Sequence, residues 1–323
     1  MGKKIFSFFA GCGFLDLGFE KAGFDVVYVN EINPSFIEAY KFSRETLNVE
    51  KPKYGYSCSS VEEYCNSSLR EVALKKYIKE CKESGDTVGF IGGPPCPDFS
   101  IGGKQKGLEG ENGKLTQTYA SLIIKQKPDW FLFENVKGLF QTKKHREFFD
   151  EIFQSIKDEG YQIKTQMLNA MEFGVPQFRE RVIVFGIRTN GKNNSTQNGE
   201  DIIDFRNYTS YSVEEIAKAK WPKTRKYKTS STVSCPEDIL SKLSVEYWFN
   251  KNDVYKHFNA SHHFNPLPGN DRFKTIKEGF VAKKSYKRLH RWRFSPTAAY
   301  GNNEVHLHPY KPRRISAAEA LAI

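Results

Sequence analysis

Cys96 stands in a segment suited to nucleophilic chemistry. It follows Gly92-Gly93-Pro94-Pro95 and precedes Pro97-Asp98-Phe99-Ser100. Two prolines fix the chain just beyond the apolar run Val88 to Ile91, and ligands of open α/β sheets bind at such strand ends. Polar, loop-forming neighbours argue against a cysteine that merely packs, so the thiol is placed for attack, given positive charge nearby to support its thiolate. Glu134 follows another apolar run, Trp130 to Phe133. A carboxyl group there is expected to lose water, which favours its neutral form and lets it donate a proton to a ring nitrogen. Arg179 and Arg181, in Gln177-Phe178-Arg179-Glu180-Arg181, point the same way on an extended chain and could hold a carbonyl oxygen or a phosphate. Finally, Gly11 and Gly13 follow a strand-like run, and Glu31 closes the next one. Glycines admit a close ligand, and an acidic residue about 20 positions on can hold ribose hydroxyls. The third glycine of the dinucleotide fingerprint is replaced by Asp16, which favours a nucleoside cofactor without phosphates.

The elements that must position these groups alternate in type. Ile5 to Ala10 reads as a strand, Phe14 to Ala22 as a helix stopped by Gly23, and Val26 to Val29 as a second strand. Val88 to Ile91, Trp130 to Phe133 and Val182 to Ile187 read as further strands, with helices over Thr118 to Lys125 and Phe148 to Lys157. Such alternation predicts an α/β fold, a doubly wound, mostly parallel sheet of Rossmann-like type. After Arg188 the texture changes. Residues 189–200 are rich in Asn, Gly and Ser, and the stretch from Trp221 to Arg293 interleaves cations with aromatic rings.

The 323 residues are 39% hydrophobic and 27% charged, which allows a large domain and a smaller one. The net charge of +11 points to a polyanion, nucleic acid before membrane. The six cysteines form no CxxC pair, so a zinc ribbon is not expected. Scattered histidines, His257, His262, His263, His306 and His308, read as solvated or phosphate-contacting, and no metal is expected. No apolar run reaches membrane-spanning length, and the expected location is the cytoplasm, beside the bacterial nucleoid.

Taken in order, these segments resemble the DNA (cytosine-5)-methyltransferase family of the bacterial restriction-modification type. Ser7-Phe8-Phe9-Ala10-Gly11-Cys12-Gly13 is similar to its cofactor motif, and Pro94-Pro95-Cys96-Pro97 to its nucleophile loop, continued by Gly103 to Gly107. Glu134-Asn135-Val136 and Gln177 to Arg181 are similar to two further motifs, as are Ser295-Pro296-Thr297 and Arg313 to Glu319 near the end. The resemblance implies that Cys96 adds to C6 of a flipped-out cytosine. Glu134 then contacts N3 and the exocyclic amine, Arg181 with Arg179 supports the base and the loop, and Asn135 braces the loop. It also implies an S-adenosyl-L-methionine pocket lined by Phe9, Ala10, Gly11, Cys12, Gly13, Glu31, Ile32, Ser60, Pro95 and Leu115. The implied domains are catalytic and cofactor-binding over 1–189, a smaller DNA target-recognition region over 190–300, and the start of a return to the first domain over 301–323.

Three departures accompany the resemblance. Phe14 stands where the family often has a glycine, and Ser59 or Ser60 falls nearest to the acidic residue that holds the adenine amine. The family's last motif is not found, so the expectation is a truncated chain or a second polypeptide that supplies the segment. The expected partners are double-stranded DNA and, functionally, a cognate restriction endonuclease, with no membrane. Two alternatives stay open: a tRNA cytosine-5 methyltransferase, and a non-catalytic DNA-binding subunit of a split enzyme.

Overall fold

In a computed structural model the described residues are 1–95, 111–140, 143–189, 203–264, 271–283, 285–297 and 306–323. Cys96 and the loop through Gly107 lie outside them, as does most of the polar stretch 189–200. The chain forms two compact units. One comprises Met1–Met167 with Arg181–Ile203, the other Leu168–Glu180 with Asp204–Ile323.

The first unit is built on a seven-stranded sheet. Its strands are β1 (Lys3–Phe8), β2 (Asp25–Asn30), β3 (Tyr56–Ser57), β4 (Thr87–Gly92), β5 (Trp130–Val136), β6 (Tyr161–Asn169) and β8 (Glu180–Arg188). The spatial order is β3-β2-β1-β4-β5-β8-β6. Pairs from β3 through β5 are parallel, and β8 joins β5 antiparallel. Successive side chains on β1 point to opposite faces. Phe6 and Phe8 therefore enter a core with Phe90, Phe131 and Phe133, beneath α3 (Leu69–Glu83), α4 (Glu111–Gln126) and α5 (Lys143–Asp158). Ser7 faces the other way, toward α1 (Phe14–Lys21) and α2 (Pro34–Thr46), and bonds to Asp16 of α1. Helices thus cover both faces, as the alternation predicts. Strand order reverses between β1 and β4, and the carboxyl ends of strands at such a switch point form the ligand crevice of this fold class. Gly92 lies opposite Phe8 in that register. The glycine turn after β1 and the Pro-Pro segment after β4 therefore emerge side by side.

The second unit holds β7 (Gln177–Phe178), parallel to β9 (Ser295–Pro296), and the short helices α6 (Val213–Lys218), α7 (Val245–Lys251), α8 (Arg272–Thr275) and α9 (Ala317–Leu321). A small apolar core of Val245, Phe249, Val254, Leu289, Ile315, Ala318 and Ala322 holds it together. Residues 306–323 thus pack within this unit. Polar ties do much of the remaining work. Arg291 pairs with Glu278 at 2.8 Å, both essentially buried. Arg288 stacks over the Tyr227 ring at 3.9 Å and donates to the carbonyls of Phe273, Ile276, His308 and Lys311. Arg313 forms a two-pronged pair with Glu319 at 2.7 and 2.8 Å. Burial alone would raise the Glu319 carboxyl, but Arg313 and His308 hold it well below the usual carboxylate range.

This corrects the reading of His306 and His308 as solvated or phosphate-contacting. Arg288, His290 and Arg291 are buried, and so are His306 and His308. Burial pushes all three histidines down to about 4, so they are neutral at pH 7. Lys223, Lys226 and Lys228 are the exposed cations of the earlier part of the stretch. Removing one partner of a buried pair leaves an uncompensated charge. Arg291→Ala is therefore expected to lower unfolding stability by about 3–5 kcal/mol in urea titration, whereas Lys228→Ala should stay within about 0.5 kcal/mol.

Candidate active site

The glycine turn is fixed by a buried polar network. Gly13 has φ 82°, and a Cβ there would fall 2.3 Å from the Tyr40 ring. Arg44, 2% exposed, donates to the Gly13 carbonyl at 2.7 Å, pairs with Glu20 at 2.8 Å and lies over the Tyr40 ring at 4.2 Å. Tyr40 in turn donates to one oxygen of Asp16 at 2.9 Å, while Ser7 donates to the other at 2.8 Å. Asp16 is fully buried in the first turn of α1. Its presence there explains the missing third glycine. A carboxylate occupies the helix end where a dinucleotide fold seats its pyrophosphate.

The turn is open on its other side. Gly11, at φ 56°, would place a Cβ with nothing within 4 Å. Its N–H donates to Glu31 Oε2 at 2.8 Å, and Asn33 N–H donates to Oε1 at 2.9 Å. Glu31 is thereby held at the end of β2, beside the glycine turn. Phe9 adopts a left-handed φ of 53°, a strained conformation for a non-glycine residue, and its ring meets Tyr119 edge-on. Asn30 donates to the carbonyls of Ser57 and Ser59, which draws the loop after β3 to the end of β2. Ser60 caps the following turn through Glu62 N–H, and Cys58 donates to the Ile32 carbonyl at 3.3 Å. Ile32 is 64% exposed, Pro95 is exposed, and Leu115 on α4 is half-buried. Burial, then the charge of Glu31, pushes the Cys12 thiol up, which keeps it protonated. An open glycine face, an anchored carboxylate and an acidic rather than phosphate-binding helix start fit a cationic nucleoside such as S-adenosyl-L-methionine.

The second wall comes from strand register. Val136 pairs with Arg181 and Glu134 with Ile183 across the antiparallel β5–β8 ladder. Glu134 and Val136 share a face, so Arg181 is the diagonal neighbour of Glu134. Arg181 Nε lies 2.8 Å from Glu134 Oε1, with the two side chains 19% and 26% exposed. Glu134 lies within β5, which continues through Val136, and its carboxylate meets a guanidinium. Gly93 makes room on the other side, where a Cβ would come within 3.1 Å of Glu134 Oε2. Asn135 points into the sheet, 2% exposed, and donates to the Pro94 carbonyl at 3.2 Å, which ties down the segment leading to Cys96. Arg179 does not continue the β8 run. It sits between β7 and β8, its N–H donating to Asn169 Oδ1 and its carbonyl accepting from Ala170, within the second unit. The sequence reading also passed over Tyr40, Arg44 and Gly93. Only the glycine had a local signal, its place at a strand end.

Burial raises the Asp16 carboxyl to about 6 from an ordinary 3.8, against the opposing hydrogen bonds of Ser7 and Tyr40. The folded state thus binds this proton more tightly than the unfolded chain. Its contribution to stability is complete below about pH 3.8 and is lost as pH rises through about 6. Asp16→Asn, which cannot ionise, should therefore gain stability relative to the parent across that window, by up to about 3 kcal/mol, when unfolding is followed as a function of pH.

Residues 3–323 match the family model described as C-5 cytosine-specific DNA methylase. Type II methyltransferase M.NmeDI of Neisseria meningitidis serogroup C is 54% identical over 319 residues, which cover 99% of this chain and 74% of that protein. Type II methyltransferase M.XorII of Xanthomonas oryzae pv. oryzae is 40% identical over 182 residues, 56% of this chain and 39% of that protein. Among solved structures, a prophage-encoded E. coli protein described as a DNA modification methyltransferase aligns with a TM-score of 0.63 at 21% identity, covering 99% of this chain and 88% of its own. The S. pombe Dnmt2 methyltransferase aligns at 0.51 and 15% identity, covering 96% and 75%. These two share the fold. With the sequence match spanning nearly its whole length, the chain belongs to the C-5 cytosine-specific DNA methylase family, with S-adenosyl-L-methionine as methyl donor.

Proposed function

We propose that this protein methylates C5 of a flipped-out cytosine in a specific double-stranded DNA sequence, and that the mark protects host DNA from a cognate restriction endonuclease. The observation that carries the reading is Glu134, held by Arg181 on one side and given room by Gly93 on the other, next to the segment that delivers Cys96.

The chemistry follows from the base. C5 of cytosine is a poor nucleophile until a group adds at C6. Cys96 Sγ forms the bond to C6, which pushes electrons toward C5 and N3. N3 takes up a proton as the sulfur adds, and Glu134 accepts from N3–H and from the exocyclic amine, its pairing with Arg181 fixing the carboxylate in one orientation. S-adenosyl-L-methionine supplies an electrophilic methyl group when bound. Once C5 carries the methyl, water takes the C5 proton, the electron pair of that bond forms the C5–C6 double bond, the Cys96 sulfur leaves C6 as a thiolate and N3 gives back its proton. Duplex DNA hides C6, so the base must leave the stack. Asn135 acts through Pro94, as a positioning residue. The second unit selects the DNA sequence, with exposed cations on phosphates and a few side chains on base edges.

Two substitutions test the assignment. Cys96→Ser should abolish methyl transfer, since serine lacks the nucleophilicity of a thiolate, while calorimetric titration of S-adenosyl-L-methionine stays near the parent value. Substantial residual incorporation of tritiated methyl would remove Cys96 from the reaction. Glu134→Gln should slow single-turnover methylation by about two to four orders of magnitude. A rate within about threefold of the parent would make Glu134 structural.

A further inference from the structure

The second unit contains a cavity of about 300 Å³ whose walls include Phe178, Lys287, His290, Arg293 and Phe294. None of its lining residues is acidic. Three polar side chains that reach it, those of Lys287, His290 and Arg293, are donors. His290 is buried, and its Nδ1 accepts the Trp292 N–H at 3.1 Å. The neutral ring then carries its proton on Nε2, and among the described residues no acceptor takes that proton. Arg293 lies over Phe294 at 5.6 Å and makes one long hydrogen bond, 3.3 Å, to the Pro222 carbonyl. Neither Arg293 nor Lys287 pairs with a carboxylate among the described residues. Thr297, also in the lining, spends its hydroxyl proton on the Phe178 carbonyl at 2.7 Å. The two phenyl rings stand 6.0 Å apart at 36°, a surface suited to a flat group.

An occupant of such a site must bring acceptors and no acidic requirement of its own. Adenine and cytosine both present an amino donor in the major groove, and thymine presents a methyl group. Guanine alone offers two adjacent acceptors, O6 and N7, which match the fork of an arginine. A backbone phosphate offers acceptors too, but is met equally well by a point charge. The partly buried, ring-stacked fork of Arg293 and the fixed Nε2–H of His290 favour the base.

We propose that this cavity reads a guanine of the target duplex, with Arg293 as the fork to O6 and N7 and with Lys287 and His290 as further donors. The assignment rests on the reading that the second unit selects the DNA sequence. Arg293→Lys separates the two sources of acceptors, because it keeps the charge and removes the fork. The experiment selects bound duplexes from a randomised pool with the full chain, its Arg293→Lys and Arg293→Ala variants and Lys287→Ala, each checked for a parental thermal transition. The parent should enrich a site with an invariant guanine. Both Arg293 variants should lose that one preference and keep the others, with affinity for the parental site down roughly five- to hundredfold. Lys287→Ala, which leaves the fork in place, should weaken the same preference. If Arg293→Lys keeps the guanine and Arg293→Ala weakens all sequences alike, the group contacts phosphate and the proposal falls. It falls equally if the parent enriches a site that none of the three variants changes, and then the second unit still reads DNA elsewhere. A parent that enriches no sequence overturns both the proposal and the reading beneath it.

Discussion

The active-site geometry depends on one backbone carbonyl. Gly13 turns in a left-handed conformation that brings its oxygen to Arg44, and Arg44 lies almost wholly inside the protein. That guanidinium could not be buried without partners, and it has four: the Gly13 carbonyl, Glu20, the Ser43 hydroxyl and the face of Tyr40. Tyr40 passes the constraint to Asp16, and Asp16 to Ser7 on β1. The turn is therefore anchored from beneath by α2, and its upper side, at Gly11, stays open for a ligand. Arg44 and Asp16 are both buried and tied to this turn, so it cannot relax without disturbing a buried charge.

A second constraint is the antiparallel insertion of β8 beside β5. A parallel neighbour would need a crossover connection and would offset the two sets of side chains. The antiparallel register instead sets Arg181 diagonal to Glu134 on one face. Asn135, on the opposite face, then reaches the Pro94 carbonyl. Alternation along three residues of one strand thus serves both the Glu134 carboxylate and the segment that leads to Cys96.

Much of this was legible in the chain. The βαβ alternation located β1, β2, β4, β5 and β8 within a residue or three, since buried parallel strands read as short apolar runs between turn residues. The helices α2 and α3 lie outside the reading: in α2 the exposed Phe36 and Phe42 blur the apolar stripe of Ile37 and Tyr40, and α3 is largely polar. At the site, residue types at strand ends identified Glu31 and Glu134, but not their surroundings. The partner of Glu134 is set by register across strands some fifty residues apart, and the partners of Gly13 come from a helix the periodicity did not reveal. The basic stretch misled most. Composition reports charge and not burial, and Arg288 and Arg291 each lie inside a web of acceptors that no local pattern announces.

The arrangement around Arg288 bears on how such a unit can change. Its guanidinium gathers four carbonyls from two separate stretches of chain, Phe273 with Ile276 and His308 with Lys311. Each acceptor belongs to the main chain, and every amino acid supplies one. The tie therefore dictates the path of those stretches without dictating their side chains. A surface framed in this way can exchange its exposed side chains while the frame that spaces them stays the same.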